Sequence, residues 1–592
     1  MKLLPRRPSL EPSLPDARSL ALSTAVALLL AACASDVGGP WWSMRVGIAA
    51  EAATEATDGG NVAGNYLAGR AALEAGDFRN AADDFELALA AAPGNIDLRR
   101  QVFELRLASG ELDRAVATAR NLQAADAGTD ETTLVLALDA TRRNAPGEAL
   151  SLLQGMGRGD IAGAVQPILL AWAQYAAGAK QKAIDTLASP DPSSGLDRLW
   201  SYHRAAMLGL DGRTQDGLAA LQRAFPDLAE APARVLRGGL ALQLAAGDRT
   251  AADRLIAAAV QANPDDPDMR RLAAAVEAGD PGIAAVRDPK TGMSDALLSI
   301  SEAFFEQERN VEAMKLARAA TLVTPDDPDC WLLAARIALA QSNPAEALRA
   351  LDRIASGSPL DWSAGLVRAR ALEDQERIDD AVALLDSMAQ REPTRPDSLI
   401  AIGDLMRGKD RFAEAEAAYT RAIQRLPVID RHHWRLLYAR GIAYERTKRW
   451  PEAEADLLKA LELDPEQPLV LNYLGYSWVD QGLNLDRAKE MLNRAVKLRP
   501  DDGFIVDSFG WAYYRLGEHE KAVTYLERAV ELEPGDPVIN DHLGDAYWRV
   551  GRQREAKFQW QRALTFEPEP DAVPVIRGKL AKGLADAQPA PG

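Results

Sequence analysis

Cysteine is almost missing from this 592-residue chain: Cys33 and Cys330 are the whole supply, and neither lies near the other. That excludes a disulfide framework and a CxxC metal site. Histidine is scarce too, at five residues, and no HExxH pattern or i, i+4 pair with a nearby glutamate marks a zinc protease. His432 and His433 fall in a turn and read as solvent-exposed, since adjacent residues cannot face one ligand from a helix. The GxSxG, GxxxxGK[ST] and strand-borne GxGxxG motifs are absent. There is no long basic run, and a net charge of −18 argues against binding nucleic acid by phosphate neutralisation. Carboxylates abound, but they cluster in turns such as "PDDPD" and "PGDP", where Asp caps helices. These absences point away from an enzyme and leave no metal or cofactor to expect.

What is present begins at the front. Residues 20–32, "LALSTAVALLLAA", are an apolar run preceded by Lys2, Arg6, Arg7 and Arg18. A basic segment, a short apolar segment and small residues before a cut describe a secretory signal over residues 1–32. The run is too short for a comfortable permanent membrane span. Leu30-Ala31-Ala32-Cys33 resembles the bacterial lipobox, which implies that Cys33 is lipidated as the first mature residue. The alternative is a plain signal peptide containing a cysteine. Cys330, opening an apolar helix in "DDPDCWLLAAR", reads as a structural thiol.

The strongest signal is a period. Pro325, Pro359, Pro393, Pro427, Pro465, Pro500, Pro534 and Pro568 close successive segments at steps of 34, 34, 34, 38, 35, 34 and 34 residues. A period of this size predicts a solenoid of helix–turn–helix units. In Trp434 to Pro465, a first helix repeats Leu437, Gly441 and Tyr444 on one face. The second repeats Ala453, Leu457 and Ala460, the spacing of a single buried stripe. Small residues at Gly441 and Ala453 let two helices approach, and the proline ends the second helix.

This skeleton of large residue, leucine, glycine, tyrosine, alanine, aromatic, alanine and proline resembles the tetratricopeptide repeat (TPR). The resemblance implies an all-α solenoid, a right-handed TPR superhelix. It covers residues 294–568 as eight regular repeats, and a further unit ends at Pro93. Between Leu98 and Pro264 the pattern degrades but persists, giving a divergent N-terminal arm over 61–276. Residues 277–293, "EAGDPGIAAVRDPKTGM", break the period and read as a hinge between two arms. Residues 33–60 read as a flexible tether, and 569–592 as a capping helix and tail.

If the repeats carry function, the varying positions hold it. In TPR proteins one arc of the first helices lines a concave groove that binds partner segments. On this chain the arc takes Arg435, Tyr438, Glu445 and Arg446, then Asn472, Tyr476 and Asp480. It continues through Asp507, Trp511, Tyr514 and Arg515 to Asp541, Asp545, Trp548 and Arg549. Tyr, Trp and Arg are common interface anchors. Tyr476, Trp511 and Asp545 share one repeat position and are expected to form a ladder along the groove wall. The alternative is that Trp511, Tyr514 and Trp548 pack against neighbouring first helices as core.

A closer resemblance rests on "VLNYLGYSWVDQGLNLDRAKEMLNRAVKLRPDDGFIVDSFGWAYYRLG" and "INDHLGDAYWRVGRQREAKFQWQRAL". These look like the C-terminal end of proteobacterial TPR lipoproteins. Some of those act as adaptors that bring a periplasmic C-terminal-processing protease to substrates such as peptidoglycan hydrolases. The resemblance implies a non-enzymatic scaffold anchored by lipid on the periplasmic side of a membrane. Ala34 after the cysteine, in place of the inner-membrane aspartate, favours the outer membrane. Two alternatives stay open: an assembly subunit of an export, polysaccharide-secretion or pilus machine, and a soluble intracellular adaptor.

Overall fold

The computed structural model describes residues 62–157, 160–188, 196–263, 266–280 and 283–584. Cys33, the expected signal and the tether lie outside them. The described residues form thirty α-helices and no strand. Most pair in sequence as antiparallel hairpins, six pairs upstream of residue 263 and eight from Pro289 to Thr565. One unpaired helix, Pro267–Ala278, separates the two series, and Ala572–Lys582 stands alone at the end. The fold is the all-α solenoid that the period predicts.

The described hairpins are closed by a left-handed residue, which is glycine in eight of them and another residue in six. The first helix of the 503–532 pair ends at Arg515, and Gly517 follows with φ of 76°. Its N–H reaches Tyr514 O at 3.1 Å, and the Glu518 N–H reaches Tyr513 O at 2.9 Å, satisfying carbonyls the helix leaves open. Only glycine adopts that left-handed conformation without a Cβ penalty. Gly517→Ala is therefore expected to cost about 1 kcal/mol. Gly535→Ala, where a Cβ meets nothing within 4 Å and φ is not positive, should be neutral or better. Chemical unfolding of the two variants checks the contrast.

The helices of a pair touch at the small residues the motif demands. A Cβ on Gly510 would lie 2.8 Å from Leu526 Cγ, and one on Gly544 would lie 2.5 Å from the Trp560 ring. Around these approaches Leu526, Ala522, Ala529, Ala556 and Trp560 are fully buried.

The described residues divide into two compact units, one through Met388 and one from Ala389. The division does not fall at the expected hinge, and this corrects the sequence reading. Within the first unit, residues 289–293 open a helix, Pro289–Glu306, in which Thr291, Gly292 and Met293 are buried. Trp172, wholly buried, lies against Gly292 so closely that a Cβ there would fall 2.4 Å from its ring. The hairpin of Pro289–Glu306 and Asn310–Val323 packs across first helices of the N-terminal repeats: Ile96–Ala108, Asp130–Arg142, Asp160–Ala176 and Asp197–Leu210. Lys315 bridges Glu104 at 3.0 Å and Glu131 at 3.1 Å, while Arg234 meets Asp295 at 3.0 Å. The first two repeats of the regular array are thus part of the same core as the degenerate repeats, one apolar cluster running from Phe103 to Ala371.

Candidate functional site

The expected groove residues all lie in the second unit, on the first helices Trp434–Arg446, Pro468–Gln481, Gly503–Arg515 and Pro537–Arg549. The last three of these helices begin where an Asp or a Pro can start a helix. Asp502 accepts the Ile505 N–H at 3.1 Å, and Asp536 accepts Val538 and Ile539 at 2.8 Å ahead of Pro537.

Burial separates twelve of the fifteen arc residues into two sets; the other three, Arg435, Glu445 and Arg446, are not buried. Tyr438, Asn472, Tyr476, Asp507, Trp511 and Asp545 are buried, with Trp511 only 4% exposed. Asp480, Tyr514, Arg515, Asp541, Trp548 and Arg549 remain at least partly open to solvent. The expected ladder of Tyr476, Trp511 and Asp545 is accordingly corrected: all three are buried, and none forms an open groove wall. The cause is the side-by-side packing of successive first helices. Trp511 stacks on His542 of the next first helix, ring centroids 4.0 Å apart and 15° from parallel. Tyr514 stacks on it as well, at 4.6 Å and 11°. Tyr438 meets Tyr473 edge to face at 5.7 Å. Asn472, placed on the same arc, is only 3% exposed.

The polar groups knit the same helices together. Asp507 holds the His542 ring through Nδ1 at 2.9 Å. Arg515 pairs with Asp480 at 3.0 Å and also donates to the Asp480 carbonyl at 3.1 Å. Arg549 Nε donates to the Tyr514 hydroxyl at 3.3 Å. Burial, and then the Asp545 carboxylate, push the Tyr514 phenol above its usual range, so it stays protonated and able to donate. Asp545 accepts the Trp560 indole N–H at 2.9 Å. It also shares the Lys579 ammonium with Asp541.

Sequence reasoning missed His542 and Lys579. His542 fits no ligand motif, and its one legible signal is its place 35 residues after Asp507, close to one repeat. Lys579 sits in the expected capping helix, and the i, i+4 pair Asp541 and Asp545 is the signal that a cation is needed nearby. His432 and His433 are half-exposed in a short 3-10 turn, Arg431–His433. Cys330 is wholly buried between Ser294 and Thr324, where desolvation pushes its thiol up to about 12. Among the described residues, no three His, Cys, Asp or Glu side chains are grouped to hold a metal ion.

What the open residues offer is an array of charge and ring surface: Asp480 with Arg515, Tyr514 with Arg549, then Trp548. Such an array suits a polypeptide partner, with guanidinium and hydroxyl donors beside aromatic area.

Comparison with known proteins agrees with the repeat. Family models described as tetratricopeptide repeat match residues 332–396 and 400–468, residues 72–135 and residues 509–536. The chain is similar to TPR repeat-containing protein PA4667 of Pseudomonas aeruginosa, 29% identical over 191 residues, which are 32% of this chain and 32% of that one. It is also similar to human Tetratricopeptide repeat protein 13, 29% identical over 144 residues, 24% of this chain and 16% of that one. The matches thus span about a third of the first relative and a sixth of the second. Among solved structures, the APC/C hetero-tetramer Cut9-Hcn1 aligns with 89% of this chain and 96% of its own at 14% identity and a TM-score of 0.37. MamA aligns with 28% of this chain and 94% of its own at 27% identity and a TM-score of 0.24. The repeat motif, the stacked helix pairs and these matches identify tetratricopeptide repeats in the chain over residues 72–135, 332–396, 400–468 and 509–536.

Proposed function

We infer that the chain is a non-enzymatic adaptor lipoprotein that holds protein partners along the open residues of its C-terminal repeats. The observation that carries this is the array of Asp480, Arg515, Tyr514, Arg549 and Trp548 on three successive first helices. Cys33, behind its apolar run, is the lipid attachment point and holds the protein on the periplasmic side of the outer membrane. The partners that the C-terminal resemblance suggests are a periplasmic C-terminal-processing protease and the peptidoglycan hydrolases it acts on.

Two measurements test the reading. Cys33→Ser should move the protein from the membrane fraction to the soluble periplasm, and a wild-type protein that is already soluble and unlipidated would defeat the anchoring. In full-length protein, Tyr514→Ala should weaken capture of the purified protease or hydrolase about tenfold or more. Capture at wild-type strength would reject this surface as the partner site.

A further inference from the structure

The linking turns of the second unit change sign along the array. Those beyond Leu463 are acidic, as with Asp464 and Glu466 in 464–467 and Glu533 and Asp536 in 533–536. The turn 425–433 is the reverse. Arg425 and Arg431 outnumber Asp430, its one carboxylate, and Arg435 follows in the first turn of the next helix. It is also nine residues long where the next three turns have four, the insertion that stretches one step of the period to 38. Over residues 391–449, thirteen Lys and Arg meet eight Asp and Glu, in a chain that has 68 and 86.

The structure fixes this turn and leaves its charge uncancelled. Arg425 Nη1 donates to the Arg395 and Glu392 carbonyls at 2.8 and 3.3 Å, and Nη2 to Ala389 O at 3.0 Å. Burial, and then the Arg421 guanidinium one turn back, lower the Arg425 pKa. Asp430 is committed to the turn itself: it accepts the His432 N–H at 3.0 Å and lies 2.8 Å from His433 Nδ1. Arg431 and Arg435 are exposed, and the Arg435 guanidinium lies 5.4 Å from the Trp434 ring centroid. Arg421 with Arg425, and Arg431 with Arg435, are like charges four residues apart, a spacing that costs stability along a helix. Between the two pairs stands Val428, 67% exposed, the most exposed large apolar side chain of the described residues.

We propose that this edge is a docking surface for a short acidic stretch of a partner protein. Its carboxylates meet Arg431 and Arg435, and one of its aliphatic side chains covers Val428. Charge complementarity sets the sign of the partner, which relieves the repulsion of cations held together. The next turn along the array sets its length. A long polyanion or a flat anionic membrane would also meet Asp464 and Glu466, whereas a segment of a few residues would not. The edge is separate from the array of the proposed function: Arg435 starts its first helix, while Asp480, Arg515 and Arg549 stand near the ends of theirs. It rests on the scaffold reading and adds a second contact to it.

The test uses full-length protein and a labelled eight-residue peptide rich in glutamate with two leucines. Fluorescence anisotropy should show binding that weakens at least tenfold in the double variant Arg431→Glu, Arg435→Glu. The double variant Lys497→Glu, Lys557→Glu makes the same change in net charge at exposed positions elsewhere, and it should bind as wild type does. Glutamine in place of every glutamate of the peptide should lose at least tenfold on wild-type protein, a comparison that needs no variant. Equal loss in the two double variants, no binding by wild type, or equal capture of phosphatidylglycerol vesicles or a DNA oligonucleotide would overturn the proposal. Tyr514→Ala should bind the peptide unchanged, and a loss there would place the peptide on the first-helix array and reject the edge. A failed peptide test beside undiminished capture of the processing protease would sink this inference alone and leave the scaffold standing.

Discussion

Trp511→Ala is expected to destabilise the C-terminal repeats by about 3–5 kcal/mol, the cost of emptying a buried large aromatic. The ring is 4% exposed and lies between His542 and Tyr514, at 4.0 and 4.6 Å. Stacked pairs of this kind contribute about 0.5–1.5 kcal/mol beyond area burial. The vacated space also removes one wall from the His542–Asp507 pair, whose side chains are only 8% and 7% exposed. Repeat arrays unfold in coupled neighbours, so the loss should appear first in helices 503–515 and 537–549. Hydrogen exchange resolved by segment, together with the melting curve, checks the size and the place of the effect.

That expectation follows the alternative reading of this residue, as core between neighbouring first helices and not groove wall, and the reason is physical. A helical wheel assigns Trp511 to the arc away from its own hairpin partner. The wheel does not report how far the next first helix closes over that arc. His542 closes it here, and its ring had no legible assignment. The parts that were legible are those set within one repeat. Gly510 and Gly544 mark the close helix approaches, Gly517 marks the left-handed turn, and Pro534 and Pro568 mark the chain between repeats. Contacts between distant repeats were not legible. The glycines and prolines of 277–293 break the period, yet Gly292 is small because Trp172, 120 residues upstream, packs on it. Lys579 was visible only as one residue of an amphipathic cap, because its partners stand two helices back.

The second large effect is a response to acid. His203 is wholly buried beside Trp172, whose indole N–H donates to His203 Nδ1 at 3.2 Å. Burial pushes its pKa down from 6.5 to about 4. An unfolded imidazole takes its proton near 6.5, while the native one stays neutral until about 4, so between these values the unfolded state binds more protons. Stability should therefore be insensitive to this group above pH 6.5 and fall as pH drops towards 4. The total loss is about 3 kcal/mol, from the linkage between pKa shift and stability. Protonation at Nδ1 would also remove the acceptor for Trp172, which acts in the same direction. Carboxyls such as Glu302 and Asp268, whose pKa values desolvation raises although their side chains keep 37% and 27% exposure, contribute with the opposite sign. The informative quantity is thus the difference between wild type and His203→Gln in urea unfolding from pH 7 to pH 4. The variant should show a shallower decline through that window. A parallel pair of curves would contradict the assignment.

The first-helix residues of the C-terminal repeats divide into a buried set that fits helix to helix and an open set to which the proposed function assigns the partners. Measuring partner affinity and unfolding side by side for Trp511→Ala and Arg515→Glu tests it most directly. Arg515→Glu should lose about tenfold or more in affinity with an unchanged melting curve, since its side chain is 35% exposed and pairs only at the surface. Trp511→Ala should lower the melting temperature, and the protein that remains folded should bind at nearly wild-type strength. Affinity lost in Trp511→Ala without loss of stability, and retained in Arg515→Glu, would contradict the division.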